Sequence, residues 1–146
     1  MRKISLRTVA LSAWLLIACI GCGPGVAPVS GRITLDAKPL VNALVSFQPE
    51  SDAINPGPGS QGRTNANGEY SLQLLTKDVA GAIPGKHKIS ITAYEGDSEG
   101  APSSGSDMAF RKALVPKKYN AESTLFCTVP PGGTTAVNFE LNSSEK

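Results

Sequence analysis

Apolar residues in this chain occur in short runs, in which they alternate with polar residues, and glycine and proline separate the runs. The chain of 146 residues contains 15 glycines and 11 prolines. Alternation with a period of two turns one face of a strand towards a core, whereas an amphipathic helix needs apolar residues three and four positions apart. Frequent turn formers also interrupt long helices. The pattern therefore predicts an all-β fold, in a chain of the length typical of one domain.

The predicted strands follow one another along the chain, and turn residues connect them. The Asp36–Pro39 segment has the residues of a turn and predicts a local hairpin between the first two strands. Asn67-Gly68 favours the positive φ angles of a second tight turn, after which Tyr70 should point inward. We expect a single antiparallel β-sandwich of about seven strands. The alternating segments are residues 29–35, 43–48, 70–74, 86–93, 125–129 and 137–141.

Three further segments lack this alternation. Residues 50–62 carry prolines between glycines and predict an exposed loop. Residues 95–107 are acidic and rich in glycine and serine, so they have little to bury and are expected to be disordered. Residues 143–146 are polar and should form a flexible tail. The domain itself is therefore expected to occupy residues 29–142.

The N-terminus has the pattern of an export signal. Residues 1–7 are basic, and the 11 residues from Thr8 to Ala18 are uncharged and mostly apolar. A membrane-spanning helix needs about 20 apolar residues, so this segment is too short to span a bilayer and instead predicts a signal helix that is removed. The signal peptide is expected to occupy residues 1–18, or 1–21 in the alternative described next.

A cysteine follows the apolar segment at the position where bacterial lipoproteins are acylated. Leu16-Ile17-Ala18-Cys19 resembles the lipobox, in which a small residue precedes a cysteine that becomes the new N-terminus. Cys22 is the alternative, because Gly21 precedes it and the surrounding glycines are typical of a lipoprotein junction. The thiolate accepts a diacylglyceryl group, and this group together with an N-acyl chain such as palmitate gives a stable anchor. Residues 19–28 would then be a tether to the domain.

The charge balance argues against nucleic acid as a partner. The formal net charge is +2, but three of the 14 basic residues, Arg2, Lys3 and Arg7, lie in the predicted signal peptide. The remaining 11 basic residues face 12 acidic residues. A nearly neutral protein has no strong field with which to attract a polyanion.

The residues that could perform chemistry are few, and they are scattered. His87 is the sole histidine, lies on the apolar face of a predicted strand, and lacks the partners of a catalytic triad or a zinc site. Cys127 alternates with Leu125 and Val129 and reads as a small core residue. Asp97, Glu99 and Asp107 lack the ligand spacing of a calcium loop. We therefore expect no catalytic residue, metal or cofactor.

A basic cluster in the last third of the chain is the other candidate binding feature. It is predicted to be a solvated surface, with contact to anionic glycans or lipid head groups as the alternative. The cluster contains Arg111, Lys112, Lys117 and Lys118, beside Phe110 and Tyr119.

From residue 29 to 141 the chain resembles the carboxypeptidase regulatory-like domain found in small lipoproteins of planctomycete-type bacteria. That family has a transthyretin-like (prealbumin-like) β-sandwich, and the resemblance implies a structural or interaction module, not an enzyme. Ala37 stands where the family usually has glycine in a turn, and His87 where it often has tyrosine. The resemblance is carried by residues 29–36, 38–47, 64–70, 81–89 and 115–120.

Taken together, these patterns predict a protein anchored by lipid in the cell envelope, facing the periplasm or the exterior, with a non-catalytic domain that acts as a structural or protein-interaction module. The alternative is a carbohydrate-binding module using residues 55–61 or 95–107. A transthyretin-like hydrolase of the hydroxyisourate hydrolase type is disfavoured, because such enzymes use several histidines and end in Tyr-Arg-Gly-Ser, whereas this chain has one histidine and ends Ser-Ser-Glu-Lys.

Overall fold

The chain is mostly β-structure. A computed structural model describes residues 25–52, 54–96 and 112–144. These ranges contain one short 3-10 helix, Lys117–Tyr119, and no α-helix, and no helix in them is long and apolar enough to cross a membrane. The predicted signal helix lies outside the described residues. The strands are β1 (Ser30–Leu35), β2 (Lys38–Pro39), β3 (Leu44–Pro49), β4 (Ser60–Arg63), β5 (Glu69–Ser71), β6 (Gln73–Leu74), β7 (Gly85–Thr92), β8 (Leu125–Val129) and β9 (Phe139–Leu141).

These strands form two sheets. One has the order β6-β4-β3-β7-β8, and in the other β1 is the central strand, paired with β2, β5 and β9. The described residues contain nine strands, seven of which have three or more residues, where about seven were expected. The pairing is antiparallel except between β1 and β9, which are parallel. The expectation of purely antiparallel pairing is thus wrong at this pair, because a long connection from β8 carries the chain to the other sheet, and such connections permit parallel neighbours.

The first predicted hairpin exists, but its second strand is β2 and not β3. Asp36 and Ala37 have φ angles of 50° and 64°, which are the positive angles of a tight hairpin turn. Ala37 therefore adopts the conformation in which glycine would cost less. A further residue with positive φ, Asn42 at 58°, precedes β3 and redirects the chain to the other sheet.

Part of the predicted exposed loop is a strand inside a sheet, β4. β4 pairs with both β3 and β6, and Ser60 at its start is fully buried. The prediction failed because Gly62, which reads as a turn residue, is needed inside the sheet. A Cβ atom at this position would overlap the carbonyl of Ser71.

Side chains from both sheets form one core. Phe47 of β3 is completely buried, and its ring centroid lies 6.5 Å from that of Tyr70 on β5 and 5.8 Å from that of His87 on β7. Tyr70 therefore points inward, as predicted, and contacts a residue of the other sheet. Ile33 from β1 belongs to the same cluster, so the two sheets share their apolar interior.

Substitution of Gly68 by alanine should destabilise the fold more than the same substitution at Gly132. The φ of Gly68 is 76°, and a Cβ atom there would overlap the carbonyl oxygen of Ile33. We expect Gly68→Ala to lower the free energy of unfolding by about 1–2 kcal/mol from the left-handed conformation alone, with the overlap adding to this. Gly132→Ala is the control, because a Cβ atom there would meet nothing within 4 Å. Urea denaturation measures both, and equal midpoints would contradict the assignment.

Candidate functional site

The candidate anchor cysteines, Cys19 and Cys22, lie outside the described residues, but the structure describes where the chain joins the domain. Ala27 is 1% exposed. It exchanges two hydrogen bonds with Ala82: the Ala27 N–H donates to the Ala82 carbonyl at 2.8 Å, and the reverse bond is 2.9 Å. Ala27 falls in the segment expected to be a tether, so pairing begins two residues before the expected domain start.

The loops around this junction form what we call the tether end of the domain. The Leu75 N–H donates to the carbonyl of Gly59, which joins the loop after β3 to the turn after β6. Gly57 approaches Ile83 so closely that a Cβ atom on it would lie 2.6 Å from Ile83 Cδ1. Because Ile83 directly follows Ala82, both loops lie beside the start of the described chain. The opposite end, where β3 begins and β7 ends, is called the distal end.

His87 is buried, as its place on the apolar strand face predicts. Its side chain is 1% exposed. Nδ1 lies 3.0 Å from the carbonyl oxygen of Gly85, which can only accept, so Nδ1 carries the proton. Nε2 has no hydrogen-bond partner among the described residues. Burial lowers the pKa of His87, and the bond to Gly85 opposes this shift only in part. The imidazole is thus held neutral and shielded from solvent.

Cys127 lies directly across from His87 in the pairing of β7 and β8. It is half-buried against the core and forms no disulfide with a described residue. Burial raises the pKa of its thiol, which leaves less thiolate at neutral pH. These features favour packing over reactivity at this position.

The structure brings three of the predicted basic residues together. Lys112, Lys117 and Lys118 line one hollow of about 520 Å³, together with Glu122 and Ser143. Lys112 Nζ is 2.9 Å from Glu95 Oε1, and this hydrogen bond raises the pKa of Lys112. Lys118 Nζ lies 4.6 Å from the centroid of the Tyr119 ring. Arg111 and Phe110 lie outside the described residues.

Other candidate segments are less informative. In the loop at 55–61, the Gly57 N–H donates to Asn55 Oδ1 at 3.2 Å, and Gln61 belongs to β4. The acidic residues Asp97, Glu99 and Asp107 lie outside the described residues. Within the described ranges, no group of three or more His, Cys, Asp or Glu residues could hold a metal ion.

The predicted flexible tail is attached to the domain at its first residue. The backbone N–H of Ser143 donates to Asp36 Oδ1 at 3.0 Å, and its hydroxyl donates to Oδ2. These bonds lower the pKa of Asp36.

A polar groove that the sequence did not indicate runs along β1 and β5. It has a volume of about 690 Å³, and Arg32 and Arg63 are among its lining residues. Arg32 Nε donates to the carbonyl of Asn67 at 2.9 Å, and Asn65 Nδ2 donates to Glu69 Oε2 at 3.1 Å. These residues come from separate segments, and the only available signal was the polar position of Arg32 in the alternating segment 29–35. The other lining residues are Ser30, Gly31, Tyr70, Ser71, Thr135 and Asn138.

Comparisons of the chain with protein-family models, with curated proteins and with solved structures found no match.

Protonation of His87 should make the protein less stable in mild acid. The folded-state pKa lies below the unfolded value of 6.5, so unfolded chains bind the proton first and stability is lost as the pH falls below that value. Between about pH 7 and about pH 5 we expect a slope of up to about 1.4 kcal/mol per pH unit. Urea denaturation at each pH should show a smaller slope for His87→Phe. An unchanged slope in that variant would exclude His87 as its source.

Proposed function

We propose that this protein is a lipid-anchored component of the bacterial cell envelope, with a non-catalytic β-domain that acts as a structural or protein-interaction module facing the periplasm or the exterior. The observation that carries the proposal is the docking of Ala27 onto Ala82. A folded domain thereby begins five residues after Cys22 and eight after Cys19. This is the arrangement expected of a cysteine that fastens a compact domain to a membrane.

We further propose that the two sheets form a β-sandwich of the transthyretin-like kind, as in the carboxypeptidase regulatory-like domain. The shared core around Phe47 and the positive φ of Ala37, in the turn where that family usually has glycine, support this assignment. A non-catalytic role is supported by the solvent-shielded imidazole of His87.

Strand β8 offers a surface for protein partners. The Glu50 N–H donates to the Lys86 carbonyl, so the backbone N–H and C=O groups of Lys86 point towards β3. Backbone groups alternate along a strand, so those of the next residue, His87, point towards β8. His87 pairs with Cys127, which turns the backbone groups of Phe126 and Thr128 towards the open edge. No described strand lies beyond β8, and a five-residue edge without charge is suited to strand addition.

A photo-cross-linking residue at Phe126 should therefore give a covalent adduct in intact cells. Thr128→Pro should abolish the adduct, because proline lacks the outward N–H that a partner strand would use. Thr128→Ser keeps that N–H and serves as the control. Strand addition would be excluded by an adduct that persists in Thr128→Pro.

Carbohydrate binding is the alternative function. The polar groove along β1 and β5 is the surface that would bind the sugar. Its hydrogen-bonding side chains match the requirements of a sugar, but Tyr70, its aromatic residue, is only 3% exposed and offers no stacking face. Glycan-array binding that Arg32→Ala and Arg63→Ala abolish would favour this alternative over the interaction module.

Mass spectrometry of the mature N-terminal peptide tests the anchor. We expect a diacylglyceryl group and an N-acyl chain on one cysteine, and loss of the protein from the membrane fraction when that cysteine is changed. Comparison of Cys19→Ser with Cys22→Ser identifies the acylated thiol, and Cys127→Ser is the control that should leave fractionation unchanged. An unmodified N-terminus in the soluble fraction would contradict the proposal.

A further inference from the structure

Three large apolar side chains are exposed at the tether end of the domain. Ile54 is fully exposed, Leu75 is 53% exposed and Val79 is 41% exposed. Isolated exposed apolar residues are common, but a group of them at one place on a small domain marks an interaction surface. The position of these three residues in the fold therefore indicates which partner they could contact.

All three lie on the two loops beside the chain start. Leu75 and Val79 flank one turn, which the bond from the Leu74 N–H to the Val79 carbonyl closes at 2.9 Å. Leu75 is hydrogen-bonded to Gly59, and this connects the turn to the loop that contains Ile54. Val26 and Ile83 are half-buried at the same end and extend the apolar surface towards the tether.

The tether is short enough to hold this surface against a membrane. An extended chain covers about 3.3–3.6 Å per residue, so Ala27 lies at most about 18 Å from a lipid on Cys22 and about 29 Å from a lipid on Cys19. A small domain held at that distance from the bilayer must turn its tether end towards the lipid. Because the lipid already holds the domain close to the surface, a second contact is intramolecular, and a weak apolar contact suffices to bias its orientation.

We propose that Ile54, Leu75 and Val79 form a membrane-docking rim that inserts into the interfacial region of the bilayer, an inference that rests on the lipid anchor proposed above. The charges in the turn, Lys77 and Asp78, are of opposite sign, and the loop of Ile54 carries the exposed Asp52, so the contact is apolar and not an attraction to anionic lipid. Burial of apolar area at the interface supplies the free energy. The hollow lined by Lys112 and Lys117 lies at the distal end and faces away from the membrane.

Quenching of tryptophan by brominated lipid tests the rim. The single tryptophan, Trp14, lies in the segment expected to be removed, so each mature variant carries one indole. Ile54→Trp and Val79→Trp probe the rim. Val41→Trp is the control, because Val41 is 40% exposed, as Val79 is, but precedes β3 at the distal end, about 20 Å from the rim at 3.3 Å per strand residue.

The protein for this test is the full mature chain, purified from membranes and reconstituted into phosphatidylcholine vesicles with brominated acyl chains. We expect a blue shift and a loss of fluorescence intensity for Ile54→Trp and Val79→Trp, and neither for Val41→Trp. Equal fluorescence of all three variants in protein that mass spectrometry shows to be acylated would overturn the rim alone. A chain without any acyl group would overturn the anchor and the rim together.

Discussion

The packing of Phe47 between Tyr70 and His87 holds the two sheets together. Phe47 and His87 belong to one sheet and Tyr70 to the other, so this cluster cannot form unless both sheets are in place. The Tyr70 hydroxyl extends the connection by donating to the Val137 carbonyl at 2.8 Å. That carbonyl in turn lies so close to Gly31 that a Cβ atom would not fit. One set of contacts therefore positions β3, β5 and β7, the approach to β9, and the central strand β1.

The same cluster explains why the interior is uncharged. Burial raises the pKa of Tyr70 and lowers that of His87, so both side chains are neutral near neutral pH. Each has one satisfied hydrogen bond, to Val137 and to Gly85 respectively. The Tyr70 and His87 side chains thus fill and orient the core. The remaining candidates for a binding site are therefore surface features: the groove, the edge of β8 and the two ends.

The sequence predicted the features that depend on neighbouring residues, namely strands and turns. Alternation located β1, β7 and β8, and the turn residues located the hairpin at Asp36–Pro39. Strand β4, the assignment of β3 to the second sheet and the parallel β9 depend on contacts between distant segments, such as Gly62 against Ser71. The candidate sites also divide into those that a local motif reveals and those that depend on the fold. A short motif marks Cys19 and Cys22, whereas Ile54 is distant in sequence from Leu75 and Val79 and is placed at the same end of the domain only by the folded loops.

The position of the proposed tether defines which end of the domain would lie nearest the membrane. β3 and β7 run between the tether end and the distal end, and β7 alone is eight residues long, or about 26 Å at 3.3 Å per residue. If the tether end rests on the bilayer, these strands stand away from the membrane and the edge of β8 stands with them. A partner strand could then reach Phe126 and Thr128 without meeting lipid. A lipid anchor alone would leave the domain free to rotate about its tether, whereas a short tether combined with the proposed apolar rim would keep this edge and the polar groove accessible from the side.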